Sequence, residues 1–131
     1  MEDNRLILSM LGALLDYPDQ TLIVALDEIR AELVGHAGLP LDTRTALSDL
    51  VDRLSARPLL DLQEDYVDIF DRGRATSLYL FEHVHGESRE RGQAMVDLLA
   101  MYETKGLFLS PGELPDYLPV FLEFLSHETP A

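Results

Sequence analysis

The sequence predicts an all-α protein, a single-domain helical bundle of about six to seven helices with no sheet. Leucine contributes 26 of the 131 residues, whereas valine and isoleucine together contribute 11. Unbranched apolar side chains keep more rotamer freedom in a helix than β-branched ones do. Apolar residues also recur at spacings of three and four, which is the helical period. The chain has the length of one domain, so residues 1–131 are expected to share one fold.

Two helical patterns open the chain. Residues 6–15 form an apolar segment that Asn4 begins and Tyr17-Pro18 ends, because the residue before a proline disfavours the helical conformation. Asp19 is predicted to cap a second helix that ends at Gly35. The apolar stripe of this second helix consists of Leu22, Leu26, Ile29 and Leu33.

A loop over residues 35–41 separates these helices from two more. Asp42 or Thr43 is predicted to begin the third helix, and Pro58 separates it from a fourth over residues 60–70. The predicted stripes are Leu47, Leu50, Val51 and Leu54 in the third helix, and Leu62, Tyr66, Ile69 and Phe70 in the fourth. Several helical patterns joined by short connections are typical of a bundle.

The next segment is less regular, because residues 71–74 interrupt the helical period. Thr76 or Ser77 is predicted to cap a short helix that ends at His85-Gly86. The apolar residues of this short helix are Leu78, Phe81 and Val84.

A long sixth helix is predicted to begin at Glu87 or Ser88 and to end at Lys105-Gly106. The lysine complements the helix dipole, and the glycine suits the left-handed position that often follows a helix. Its apolar residues are Met95, Leu98, Leu99 and Tyr102.

A last helix is predicted after a loop over residues 107–116. Pro119 suits its first turn, and its apolar residues are a stripe of Leu118, Leu122 and Leu125 with Phe121 and Phe124 beside it. The helix is more apolar than an outer helix of a bundle. Exposure of the stripe of residues 117–125 would therefore favour a homodimer or a domain swap.

Charge and composition exclude several classes of function. The 24 acidic and 10 basic residues give a net charge of −14, which disfavours nucleic acid and anionic membranes and favours a cationic ligand or a basic peptide. The chain has no cysteine, so disulfides and thiolate chemistry are excluded. No apolar run approaches the roughly 20 residues of a membrane span, and acidic residues precede the first apolar segment, unlike a signal peptide. A cytoplasmic location is expected.

Half of the basic residues lie in the segment of residues 71–105. Four of its arginines, Arg72, Arg74, Arg89 and Arg91, have two interpretations. They form either an anion site for a nucleotide or phosphate-bearing cofactor, or internal pairs with the acids of residues 71–91. Neither a GxxxxGK[ST] nor a GxGxxG motif accompanies them, so internal pairing is favoured.

Glu82, His83, His85 and Glu87 have the residue types of a metal site. His83 and His85, however, are two residues apart and would project to nearly opposite sides of a helix, whereas an HExxH site needs histidines four residues apart. A metal-dependent hydrolase is therefore the least favoured interpretation. The histidines are expected to act in capping, loop hydrogen bonds or a pH-sensitive contact, and no metal or other cofactor is predicted.

Five stretches in the second half carry a specific pattern: YVDIFDRGR at 66–74, SLYLFEHVHG at 77–86, SRERGQAMVDLL at 88–99, ELPDYLP at 113–119 and LEFL at 122–125. Together they closely resemble the nitrate reductase delta-subunit family of assembly chaperones. The DRGR sequence after Phe70 favours this branch over the TMAO and DMSO reductase chaperones of the wider redox-enzyme maturation family. Residues 1–58 match only in outline, through leading helices and the LLDYP element at 14–18.

The resemblance implies an all-helical cytoplasmic chaperone for one client, the catalytic (alpha) subunit of respiratory nitrate reductase. Such a chaperone holds the apo-subunit during insertion of the molybdenum cofactor and delays its docking to the membrane subunit, so it is not an enzyme. Proteins of molybdenum cofactor biosynthesis are further implied partners. Family chains usually continue with more helices and a polar tail, so the 131 residues are expected to be a truncated core.

The client is expected to present its N-terminal segment as a basic amphipathic helix, which an apolar groove binds through anchors at helical spacing. The predicted apolar wall of this groove is Tyr66, Phe70, Phe81, Met95 and Leu99. The predicted cation contacts are Asp71, Glu82 and Glu87.

The polar residues around this groove have secondary roles. His83 and His85 are predicted to make the affinity pH-dependent, because a positive charge there would repel a basic client. The four arginines are expected to orient the acids of the groove. The alternative hypothesis is a nucleotide- or cofactor-binding module that uses the same arginines.

Overall fold

The computed structural model describes residues 4–36, 38–86 and 88–128, and these contain seven α-helices and no strand. The predicted all-α class is therefore confirmed. The helices are α1 (Arg5–Leu15), α2 (Gln20–Gly35), α3 (Leu41–Ser55), α4 (Leu59–Phe70), α5 (Leu80–Val84), α6 (Glu90–Thr104) and α7 (Leu118–Ser126). None of them is long and apolar enough to cross a membrane, as far as the described residues extend.

The first core lies between α1, α2 and α3. The predicted stripe of α2 is confirmed, since all four of its members are buried. Asp19 caps α2 as predicted, because its Oδ1 accepts a hydrogen bond of 2.9 Å from the Leu22 N–H. The other buried side chains of this core are Ile7 and Met10 from α1 and Val51 from α3.

The second core joins α6 to α7, and α7 in turn packs along α1. Tyr102 is fully buried between Val120 and Phe124, and its hydroxyl donates a 2.7 Å hydrogen bond to the Pro115 carbonyl. Gly12 brings α1 close to α7, since a Cβ at this position would lie 3.3 Å from the Pro119 carbonyl oxygen. Pro119 occupies the first turn of α7, as predicted.

The predicted cap of α5 is wrong, because neither Thr76 nor Ser77 begins this helix. Asp116, 35 residues further along the chain, accepts hydrogen bonds from two amides at the start of α5 instead. Its Oδ2 binds the Phe81 N–H at 3.1 Å, and its carbonyl oxygen binds the Leu80 N–H at 2.9 Å. The segment before α5 is thereby tied to the segment before α7, where Tyr79 and Tyr117 form an isolated antiparallel bridge.

Two helix starts also differ from the prediction. The third helix begins at Leu41, directly after Pro40, rather than at Asp42 or Thr43; the fixed φ of proline suits the position that precedes a helix. The sixth helix begins at Glu90 rather than near Ser88, and the other predicted start, Glu87, lies outside the described residues.

Some predicted burial is wrong as well. Ile69 is 53% exposed because α4 turns only its Leu62–Tyr66 face inward, and Leu50 and Val84 are exposed too. In α7 the buried residues are Pro119, Val120, Phe124 and Ser126, because α1 and Tyr102 of α6 cover this helix. The expected exposure of the whole stripe of residues 117–125 is therefore not found. Homodimer formation stays a prediction.

Candidate functional site

An open cleft of about 720 Å³ lies where the ends of α1 and α4 meet the beginnings of α2 and α7. Its described lining combines aromatic and acidic side chains and contains no lysine, arginine or histidine. The aromatic side chains are Tyr17, Tyr66, Phe70, Tyr79 and Tyr117. The acidic side chains are Asp16, Asp19, Asp71, Glu113 and Glu123. This surface suits a ligand that carries both apolar groups and positive charge.

A hydrogen-bond network at the floor of the cleft holds three elements together. The Tyr66 hydroxyl from α4 lies 2.9 Å from the Leu15 carbonyl oxygen at the end of α1 and also contacts the Tyr117 hydroxyl. The Tyr117 hydroxyl in turn donates to Asp16 Oδ1 at 3.1 Å, although these residues are 101 positions apart. Tyr66 and Tyr117 thus fix the end of α1 against the beginning of α7.

Burial changes the acidity of these phenols. It raises the pKa of Tyr66 to about 12, although the hydrogen bond with Tyr117 acts in the opposite direction. Burial also raises the pKa of Tyr117 and of Tyr79, and the nearby carboxylates reinforce the change. At neutral pH these phenols are therefore uncharged donors, and the negative charge of the cleft comes from its carboxylates alone.

The aromatic rings form two contiguous groups along the cleft. Tyr66 contacts Phe70 with ring centroids 4.8 Å apart and meets the edge of Tyr17 at 5.5 Å. Tyr79 packs on Tyr117 with ring centroids 5.1 Å apart. Rings held in this way offer apolar area and electron-rich faces at little cost in side-chain entropy.

The structure separates the predicted site residues into two groups. Tyr66, Phe70 and Asp71 line the cleft. The remaining described members do not line it: Phe81, Glu82, His83, His85, Met95 and Leu99. Glu87 lies outside the described residues.

The polar residues of α5 contact their own neighbourhood. Glu82 pairs with Arg91 at 3.1 Å and with Arg74 at 3.5 Å. His83 Nε2 lies 2.8 Å from the Ser77 carbonyl oxygen, and the ring of His85 meets the edge of Phe81. These contacts brace the segment around α5. Within the part of the chain that the structure describes, no group of three or more potential ligands could hold a metal ion.

The arginines follow the internal-pairing interpretation in part. Arg72 pairs with Asp68 at 3.0 Å, and Arg91 also donates to the Gly86 carbonyl oxygen at 3.2 Å. Arg89 is exposed and makes no ion pair with the described residues. Of the acids expected to pair, Glu82 does so, whereas Asp71 faces the cleft.

Sequence reasoning missed seven of the ten aromatic and acidic residues that line the cleft. Asp16, Tyr17 and Asp19 belong to the LLDYP element and the residue after it, and Glu113 and Tyr117 belong to the ELPDYLP stretch. Both stretches carried the family resemblance, so that resemblance was the available signal. The sequence alone does not show that these residues lie close to Tyr66 in the fold.

Comparison with known proteins agrees with this architecture. The chain is 50% identical over 119 residues to the nitrate reductase molybdenum cofactor assembly chaperone NarJ of Escherichia coli (strain K12), a match that covers 91% of this chain and 50% of that protein. It is 35% identical over 134 residues to a NarJ protein of Bacillus subtilis (strain 168), covering 93% of this chain and 65% of the relative. The chain thus spans about half the length of the E. coli protein.

A solved structure has the same fold. A protein from Archaeoglobus fulgidus, described as a redox enzyme maturation protein, superimposes with a TM-score of 0.67 over 96% of this chain and 72% of its own, at 23% sequence identity. Fold and cleft together define a helical protein with an open cleft lined by acidic and aromatic side chains. The family model of the nitrate reductase delta subunit matches residues 36–129. The chain belongs to the nitrate reductase delta subunit family.

Proposed function

We propose that this protein is an assembly chaperone for the catalytic subunit of a nitrate reductase. In this proposal it binds the N-terminal segment of the apo-subunit, supports insertion of the molybdenum cofactor and delays docking to the membrane subunit. The molybdenum cofactor is cargo for the client, and the chaperone itself performs no covalent chemistry. Residues 1–131 are proposed to act as one domain in the cytoplasm.

The observation that carries this proposal is the cleft, with its five aromatic rings, its five carboxylates and no basic side chain in its described lining. A basic amphipathic helix has complementary properties, because its apolar face can cover the rings while its cations approach the carboxylates. The relatives are named as chaperones of nitrate reductase assembly, and these names support the same client.

Binding energy and specificity would come from different parts of the cleft. Apolar and aromatic burial supplies most of the affinity, at about 25 cal/mol per Å² of apolar surface removed from water. The net charge of −14 attracts a basic segment before contact and raises the association rate. A weak, reversible complex of this kind suits a protein that must later release its client.

The nucleotide-binding alternative has less support. Arg72, Arg74 and Arg91 each lie within ion-pair distance of a carboxylate of the same chain, so a phosphate group would have to displace those partners. The large cleft is acidic and would repel an anion.

Isothermal titration calorimetry with a synthetic peptide tests the proposal. The peptide is the N-terminal segment of the nitrate reductase catalytic subunit from the same organism. We expect saturable binding with one peptide per chain and a dissociation constant in the micromolar range or below. Absence of binding heat at several temperatures, with a folded protein, would contradict the proposal.

A pair of exposed aromatic residues provides the control. Tyr17 is 46% exposed and lines the cleft, whereas Phe108 is 70% exposed and lies away from it. Tyr17→Ala is expected to weaken peptide binding about tenfold, because aromatic anchors carry a large share of interface energy. Phe108→Ala is expected to leave the affinity within about twofold, since it lies outside the contact area. Equal losses in both variants would argue against binding in the cleft.

A further inference from the structure

Asp71 occupies an unusual position at the rim of the cleft. It follows the last residue of α4, where its backbone N–H still donates a 3.0 Å hydrogen bond to the Val67 carbonyl oxygen. Its side chain lines the cleft and makes neither a hydrogen bond nor an ion pair with any described residue. Three of the other four acids of the cleft accept hydrogen bonds within the fold: Asp16 from Tyr117, Asp19 from the first turn of α2 and Glu113 from the Ser110 N–H. The fourth, Glu123, lies 3.9 Å from His127 Nε2.

Two arginines lie within three residues of Asp71, and both are paired elsewhere. Arg72 turns back along α4 to Asp68 at 3.0 Å. Arg74 reaches Glu82 at 3.5 Å. The DRGR sequence thus supplies two cations next to an aspartate, yet the fold directs the cations away and leaves the carboxylate open toward the cleft.

Aromatic rings stand beside this carboxylate. Its charge is close enough to the phenols of Tyr66 and Tyr79 to contribute to the raised pKa of both. Phe70 precedes Asp71 in the chain and contacts Tyr66, while Tyr79 packs on Tyr117. An accessible carboxylate next to electron-rich rings is the combination that binds a planar cation, through paired hydrogen bonds and stacking together.

We propose that Asp71, with the partly exposed rings of Phe70 and Tyr79, forms a subsite for one arginine side chain of the bound segment. This inference rests on the proposed function and adds to it the identity of a specificity contact. A guanidinium fits better than an ammonium, because its planar fork matches a carboxylate and stacks on aromatic rings, whereas the compact lysine head group is more strongly hydrated. A basic segment with an arginine at the matching position is bound in one defined alignment, whereas other basic segments are attracted only by the net charge.

A double-mutant cycle between protein and peptide tests the subsite. The protein variants are Asp71→Asn and, as a charge-matched control, Asp49→Asn, which lies on the exposed face of α3 outside the cleft. The peptide is the client N-terminal segment with its arginines replaced singly by citrulline, a neutral residue of nearly the same shape. Asp71→Asn is expected to weaken binding about tenfold and Asp49→Asn less than about twofold.

Coupling identifies the arginine that occupies the subsite. One citrulline peptide is expected to bind the wild-type protein about tenfold more weakly and to lose nothing further with Asp71→Asn. Lysine at that position is expected to restore only part of the affinity. Thermal unfolding monitored by circular dichroism verifies that Asp71→Asn is folded, which the absence of partners within the described chain predicts.

The possible failures are distinguishable. If the wild-type protein binds none of the peptides, the proposed function is wrong and the subsite falls with it. The wild-type protein could instead bind the peptide while the loss of affinity from every citrulline substitution simply adds to the loss from Asp71→Asn. In that case the cleft remains the binding site and the arginine subsite is wrong. Equal losses of affinity in Asp71→Asn and Asp49→Asn would mean that Asp71 acts only through the net charge of the protein. That result would also overturn the subsite.

Discussion

At the scale of single residues, the tyrosines of the cleft connect α1, α4 and the segment before α7 through their hydroxyl groups. Tyr66 and Tyr117 share a hydrogen bond, and their hydroxyls also reach Leu15 and Asp16 at the end of α1. Such a network needs both phenols in their protonated form, because an ionised phenolate cannot donate a hydrogen bond to a carbonyl or a carboxylate. The network therefore links the stability of the fold to the pH.

The raised phenol pKa values predict a loss of stability in alkali. In the unfolded chain a tyrosine ionises near pH 10, whereas the folded state holds the pKa of Tyr66 at about 12. Above pH 10 the unfolded state has therefore released the proton that the folded state retains, so the free energy of unfolding falls as the pH rises through the interval from 10 to about 12. The fall is at most about 1.4 kcal/mol per pH unit for each such phenol.

Urea unfolding at a series of pH values measures this effect. Tyr66→Phe lacks one of the ionising groups, so its stability is expected to fall less steeply with pH, although it starts about 1 kcal/mol lower because a hydrogen bond is lost. A wild-type stability that stays constant up to pH 12 would contradict the assignment of Tyr66 as a buried hydrogen-bonded phenol.

Asp116 makes a second residue-scale prediction. Its side chain is fully buried, and Oδ2 accepts the Phe81 N–H at the start of α5. Asp116→Ala leaves that amide without an acceptor and is expected to lower the free energy of unfolding by about 1–3 kcal/mol. Asp116→Asn keeps an oxygen acceptor and is expected to lose less. Chemical denaturation measures the free energy of unfolding of the two variants. Equal losses would mean that the hydrogen bond from the Phe81 N–H to Asp116 does not contribute to stability.

At the scale of helices, apolar periodicity predicted most elements and missed what depends on distant residues. The stripe of α2, its Asp19 cap and the end of α6 before Gly106 follow from local sequence and are confirmed. The cap of α5 was not predictable in this way, because Asp116 reaches it from 35 residues away. Ile69 fits the helical stripe of α4, yet none of the described helices covers it.

The candidate site follows the same division. Of the predicted site residues, Tyr66, Phe70 and Asp71 lie together at the end of one helix and line the cleft. Asp16 and Tyr117 come from opposite ends of the chain and meet only through the packing of α7 on α1. Local patterns contain no information about that packing, so these residues were missed.

The close packing of α1 on α7 gives an element-scale prediction. Gly12→Val adds a branched side chain where even a Cβ would lie 3.3 Å from the Pro119 carbonyl oxygen, so the helices must separate. We expect the free energy of unfolding to fall by about 1–3 kcal/mol. Thermal and urea unfolding report the change.

Gly92 in α6 is the matched control for this substitution. A Cβ at Gly92 would have no heavy atom within 4 Å, so Gly92→Ala is expected to raise the free energy of unfolding by up to about 1 kcal/mol through helix propensity. If Gly12→Val is as stable as the wild-type protein, α1 and α7 do not pack as closely as described.

At the scale of the whole molecule, the proposed function assigns the excess of acidic residues and the aromatic cleft to one binding event. The net charge of −14 acts over about a Debye length, roughly 10 Å at moderate salt, and in this proposal it orients the basic segment before contact. In the same proposal the rings and carboxylates that line the cleft contact the segment only after it has bound. Charge should therefore affect mainly how fast the complex forms, and the rings how long it lasts.

Stopped-flow kinetics with the client N-terminal peptide separates these contributions. Raising the salt concentration from about 20 mM to about 300 mM is expected to lower the association rate constant about tenfold or more, with a much smaller change in the dissociation rate constant. An association rate that is independent of salt would show that the acidic surface plays no part in capture.

The proposal that the client segment binds in the cleft is tested by locating its binding site on the protein. Two-dimensional amide NMR of the isotopically labelled protein, titrated with the unlabelled N-terminal peptide of the catalytic subunit, reports this residue by residue. If the segment binds in the cleft, the largest shifts fall on the amides of Asp16, Tyr66, Asp71, Tyr79 and Tyr117, which line it. Largest shifts on the exposed face of α6, at Val96 and Met101, with the cleft amides unchanged, would contradict the proposal.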